Sequence, residues 1–226
     1  MAESYANLTR RRLKTPRAAA IAGLLFALLY GTGLVLIRLS IPTDPAADSN
    51  WLETSSSTVA LALNLVPYAG IAFLWFIGVI RDRLGDMEDR LFATVFLGSG
   101  LLFLGLTFTG AALAGGLLSS YMIAPTTLLE SGVFTYSRAV MYQILNIYAI
   151  RMAGLFMISL GTIWLRTGVM HRSWALLTYA LALVLLLSIS YSLWVTLILP
   201  GWVLVVSIYI LILNLRQPTQ ESMSQA

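Results

Sequence analysis

Arg151 is the side chain of this sequence with the clearest chemical potential. It stands in "IYAIRMAGLFMISLGTIWLRT", about four helical turns before Arg166, or roughly 22 Å along a helix. With Arg166 at a membrane surface, a guanidinium at that depth lies inside hydrocarbon. Such a charge costs from about 2.5 to over 10 kcal/mol and normally has a partner. No Asp or Glu falls in any long apolar run. The candidate partners are Tyr148, which shares a helical face with Arg151 and offers a cation–π contact, together with Asn146, Asn64 and Tyr68. The carbonyl of Leu63, which Pro67 deprives of its usual donor, and a group outside the chain complete the set. An arginine among amides and phenols, with no carboxylate, suits an anion or a lipid phosphate. The simpler alternative is that Arg151 snorkels about a turn and a half to the far interface. Both readings stay open on these residues.

Composition removes most other chemistry. Cysteine is absent and histidine occurs once, at His171 in the polar loop "RTGVMHRS". Thiolate chemistry, iron–sulfur clusters and bis-histidine haem are therefore excluded within one chain, and neither a metal nor a cofactor is expected. The single lysine is Lys14, outside every apolar run, so no mid-membrane lysine can form a Schiff base. Without His, Cys or carboxylate in the spans to move protons, the sequence argues against an enzyme. The net charge of +4 does not imply nucleic acid, because the basic residues sit beside apolar runs, where they report membrane orientation.

The elements that must position Arg151 are membrane helices. The chain is 58% hydrophobic and only 11% charged, against roughly a quarter charged in soluble domains. Apolar runs of about 20 residues match a hydrocarbon core of about 30 Å. An all-α bundle of six spans is expected, at about 18–38, 59–80, 91–118, 139–165, 174–194 and 199–215. A basic arm, 1–17, precedes the first span, which is read as an uncleaved helix rather than a signal peptide because its apolar run exceeds a typical h-region. A disordered tail, 217–226, follows the last. Segment 119–138 reads as interfacial or re-entrant, and Pro67 is expected to kink the second span. The turn between spans five and six is expected between Ser190 and Trp202, with Pro200 and Gly201 its strongest punctuation.

Eleven of the fourteen basic residues, all but Arg38, Arg138 and Arg151, fall on one side if the amino terminus is cytoplasmic. The positive-inside rule then puts both termini in the cytoplasm. Trp51, Trp164, Trp174 and Trp202 fall near span ends, as an aromatic belt would require. Small residues recur at Ala19, Gly23, Ala27 and Gly31, and pair as Ala111 with Gly115 and Ala112 with Gly116. Such seams let helices approach closely.

Between the second and third spans stands "GVIRDRLGD", Gly78 to Asp86. Gly78, Asp82, Arg83 and Gly85 resemble the Gly-x-x-x-Asp-Arg-x-Gly turn that the major facilitator superfamily carries at the same place. The resemblance implies a turn whose Asp pairs with a neighbouring helix end and helps latch a conformation of a transporter. The family continues with basic residues where this chain has "DMEDR", and it has about twice as many spans. The same letters also have an architectural explanation, which we prefer. Gly85 can end a helix, Asp86 can cap the next, and Arg83 complements the carbonyl end before it. The longer stretch "FLWFIGVIRDRLGDMEDRLFATVFLGSGLLF" resembles uncharacterised multi-pass bacterial membrane proteins, implying the bacterial inner membrane.

Two functions follow as expectations. The first is a non-enzymatic integral membrane protein acting through helix association, as a homo-oligomer or an accessory subunit of a membrane complex. The second is a small channel or transporter for an anion or apolar solute, centred on Arg151.

Overall fold

A computed structural model of the chain describes residues 2–42, 50–84, 90–168, 170–187 and 193–216. The described residues are helical throughout, without a strand. α1 (Ala2–Ser40) leads to a short α2 (Trp51–Thr54), then α3 (Ser56–Leu84), α4 (Arg90–Ile123) and a short α5 (Pro125–Glu130). α6 (Val133–Gln143) passes through a π-helical turn, Ile144–Ala149, into α7 (Ile150–Thr167) without a break. α8 (Arg172–Leu187), a 3₁₀ turn (Leu193–Leu197) and α9 (Ile198–Arg216) complete the chain.

Five helical stretches are long and apolar enough to cross a membrane: Ala18–Ser40, Ser56–Arg81, Leu91–Ile123, Val133–Thr167 and Trp194–Ile212. α8 is apolar but has 16 residues, about 24 Å, against a core of about 30 Å. In cross-section the neighbours run α9, α1, α3, α4, α7, α8. Phe73 lies at the centre, with ring centroids 4.6 Å from Phe26, 5.4 Å from Phe103 and 5.2 Å from Phe156. Offset and edge-on aromatic pairs of this kind add about 0.5–1.5 kcal/mol each beyond the area they bury.

Close approach depends on glycines at helix crossings. A Cβ on Gly154 would stand 3.1 Å from the backbone oxygen of Ala182, so α7 and α8 touch there at backbone distance. At Gly23 a Cβ would overlap Ser207 and lie 2.9 Å from the Phe76 ring, wedging α1 between α9 and α3. Ala19 and Ala27 on the same seam are also buried. The expected seam on the first helix is therefore used within the chain, except at Gly31, which has open space beside it. On α4, Gly115 meets only Leu63, at 4.0 Å, and Gly116 meets nothing. The tight crossings of α4 are instead at Gly100, against Ile77 and Phe156, and at Gly110, against Leu145.

Several sequence expectations are corrected. Residues 2–17, expected as an arm, continue α1 as helix. The third span extends to Ile123, and the fourth begins at Val133 rather than Ala139, which takes Arg138 out of the connecting loop and into a helix. α5 seats Leu128 in a second apolar cluster with Trp51, Leu117 and Phe134. Pro200 and Gly201 do not make a turn; they lie in the first turn of α9, where the N–H that proline lacks has no intrahelical acceptor to lose. The other expected turn residues, Ser190 to Ser192, lie outside the described residues. Pro67 lies inside α3, which continues as helix on both sides of it, a continuity that neither shows nor contradicts the expected kink. Trp164 and Trp202 are core rather than belt residues: their rings are 5.7 Å apart, and the Trp202 indole N–H donates to Thr178 Oγ1 at 2.9 Å. That bond satisfies the one polar atom that would otherwise draw the ring to an interface.

Candidate functional site

Arg151 does not build the expected site. Its guanidinium Nη1 donates to the carbonyl of Ile147, 3.0 Å away in the adjoining π turn. Asn64, Tyr68 and Tyr148 are exposed on the flanks of the bundle. Among the described residues no hydrogen bond or ring contact joins them to Arg151. The reason is local. Two carbonyls at the π turn accept side-chain donors: that of Ile147, which also accepts the backbone N–H of Ile150, from Arg151, and that of Tyr142 from the Asn146 amide, 3.2 Å. The arginine thus serves as a latch for an irregular turn.

Asn146 belongs to a different constellation. Its Oδ1 accepts a 3.0 Å hydrogen bond from Nη2 of Arg38, 108 residues away in the last turn of α1. Arg38 and Asn146 line a cavity of about 240 Å³ between α1, the amino-terminal end of α3, the carboxy-terminal half of α4 and the α6–π segment. Arg138 lines it as well. This second cation is 7% exposed, donates from Nη2 to the carbonyl of Pro42 at 3.2 Å, and lies 5.7 Å from the Phe134 ring centroid. Thr107 and Tyr30 line the cavity about two turns of α1 below Arg38, with Thr107 Oγ1 bonded back to the carbonyl of Phe103 at 2.8 Å.

The fold positions these groups by simple means. Tyr30, Leu34, Ile37, Arg38 and Ile41 recur at the spacing of one helical face, and that face of α1 forms one wall. Gly110 lets the π turn press against α4, since a Cβ there would lie 2.5 Å from Leu145. The π turn in turn aims Asn146 at Arg38. Most of the remaining lining is aliphatic, and no Asp or Glu is among the described lining residues. Arg38 makes only the Asn146 bond among the described residues, and its Nε is buried with no acceptor. A buried donor left unpaired costs about 1–3 kcal/mol, more on a charged group.

Chemically, the arrangement can receive an anion. It offers no acid–base pair and no nucleophile with an activating base, and no cluster of His, Asp or Glu able to hold a metal is present among the described residues. Of the candidate site and packing residues singled out from sequence, Asn146, Ala111 and Leu63 line the cavity. Asp82 and Arg83 fall in the last turn of α3, which ends at Leu84 before α4 starts at Arg90; Gly85 and Asp86 lie outside the described residues. Sequence reasoning missed Arg38 and Arg138, although both were already exceptions to the charge asymmetry, and Arg38 continues the apolar face of α1.

Fold and site together define an all-α membrane-type bundle with a cationic cavity toward one end. Comparison with protein families, characterised proteins and solved structures finds no match for this chain.

Proposed function

We propose that this chain is a non-enzymatic integral membrane protein that binds an anionic solute in the Arg38 cavity, as a small carrier or binding protein. The observation that carries the reading is a guanidinium with a buried, unpaired Nε, opening on a cavity with no carboxylate among its described lining. The anion-centred expectation is thereby moved from Arg151 to Arg38. In this proposal α8 belongs to a sixth span. Both termini are cytoplasmic, in a bacterial inner membrane, and the cavity faces the opposite side. Because the sequence contains no cysteine, single cysteines test the topology directly. One at position 48 should react with an impermeant reagent from outside and one at 86 only from inside; the reverse pattern would overturn the orientation. For the function, uptake of small carboxylates and phosphates into proteoliposomes, or their binding to the purified protein, should fall at least tenfold in Arg38→Gln. Unchanged uptake and binding would reject the site.

A second reading, self-association, retains one supporting feature. Ala112 and Gly116 lie exposed on α4, with open space beside Gly116, so a partner helix could approach there. Native mass spectrometry showing only monomer would remove that reading.

A further inference from the structure

We infer that the occupant of the cavity is a single-chain anionic amphiphile drawn from the membrane, its phosphate or carboxylate headgroup held by Arg38 and its chain directed along the aliphatic wall toward Tyr30. This rests on the anion-binding reading above and adds the class of ligand to it.

Polarity in the cavity is graded along its length. Arg38, Arg138 and Asn146 are gathered at one end, while Tyr30 lies eight residues, about 12 Å, further along α1. Between these levels the walls are aliphatic, with Leu34, Leu63 and Leu145 among the lining. A small hydrated anion needs polar partners on every side and would leave this stretch unfilled or wet. An alkyl chain matches it. Small residues leave the lane clear: a Cβ on Gly33 would meet only the Ala62 carbonyl oxygen, at 3.5 Å, and Ala111 and Ala114 line the opposite side. About 240 Å³ lies just below the usual range for a ligand pocket, roughly 300–1,000 Å³, which favours one slender chain over two.

Charge complementarity selects the headgroup. Arg38 supplies the charge, and no described acid is among the residues that line the cavity. Guanidinium groups are suited to phosphate and carboxylate because their planar N–H donors match paired oxygens. Lateral access follows as part of the inference: α1 and the chain just after it are tied to the α6–π segment by side-chain bonds, Arg38 to Asn146 and Arg138 to the Pro42 carbonyl, which an entering ligand would exchange for its own.

The test uses the full chain in nanodiscs of zwitterionic lipid, titrated with butyl, hexyl and octyl phosphate, octanoate, octanol and inorganic phosphate, with empty nanodiscs subtracted. Affinity, referred to free aqueous ligand, should rise about fourfold per methylene, the equivalent of about 0.8 kcal/mol, and level off when the chain exceeds the cavity. Octyl phosphate or octanoate should exceed octanol by more than tenfold, and Arg38→Gln should abolish that preference. If inorganic phosphate binds as tightly as octyl phosphate, the amphiphile is overturned and the anion reading stands. If octanol binds as well as octyl phosphate, or nothing binds above empty nanodiscs, both are overturned. Should Arg38→Gln fail to fold, the chain-length series and the octanol comparison on the unaltered protein still decide.

Discussion

Replacing Asn146 by aspartate should raise stability and lower anion affinity at once, an unusual pairing of effects. The substitution is isosteric, so packing against α4 is preserved. It places a carboxylate oxygen where Arg38 Nη2 now finds an amide oxygen at 3.0 Å. Unit charges about 4 Å apart attract by about 4 kcal/mol at an effective dielectric constant near 20. Against this stand the loss of the Asn146 amide bond to the Tyr142 carbonyl, about 1–1.5 kcal/mol, and the desolvation of the new charge. The expected net gain is about 1–2 kcal/mol. An anion approaching Arg38 then meets a fixed negative charge at similar range, and repulsion of about 3 kcal/mol lowers its affinity by roughly a hundredfold. Asn146→Leu supplies the contrast. It removes the one described partner of Arg38, costing about 1.5–3 kcal/mol, and leaves no competing charge. Thermal unfolding in detergent gives the stability change, and calorimetric titration with octyl phosphate gives the affinity. If the aspartate variant is destabilised as much as the leucine variant, or binds as the unaltered protein does, the assignment of Arg38 and Asn146 to one electrostatic site is wrong.

Two further outcomes separate the architecture from its alternatives. Arg151→Met should leave octyl phosphate affinity within about twofold while loosening the π turn, measurable as faster amide exchange at residues 147–151; a loss of binding equal to that of Arg38→Gln would return the site to Arg151. Gly154→Ala should destabilise by about 1–3 kcal/mol, because the new methyl meets the Ala182 backbone oxygen at 3.1 Å, whereas Gly161→Ala, whose nearest neighbour is the Thr178 methyl at 3.3 Å and whose nearest backbone atom is the Ala175 oxygen at 3.8 Å, should cost less than 1 kcal/mol. Equal unfolding temperatures for the two variants would contradict the crossing geometry of α7 and α8.

The membrane class and the long helices were legible because hydropathy and chain length are properties of single segments. What could not be read were facts about pairs of distant segments. Arg38 and Asn146 are separated by 108 residues, and only packing of α1, α3 and α4 brings their faces together. The π turn leaves no composition signal in "ILNIYA", so Arg151 looked like a stranded charge until the Ile147 carbonyl supplied its acceptor. Gly23 was noticed for its spacing, but which helix it served depended on Ser207 and Phe76. Pro200 misled because proline is equally at home in a turn and in the first turn of a helix. Trp164 and Trp202 misled because a buried hydroxyl on another helix, that of Thr178, substitutes for interfacial water.

The π turn between α6 and α7 also has a genetic meaning. It accommodates one residue more than an α-turn would, so it is equivalent to a single inserted codon whose consequences the flanking helices absorb. An α-helix advances about 100° per residue. The π turn takes up that rotation, so deleting one codon within 144–149 would return it to α-helix with α6 and α7 near their present register and the composition of the span almost unchanged. The bulge that aims Asn146 at Arg38 is thus one deletion away from removal, a change of backbone that no substitution of Asn146 itself reproduces.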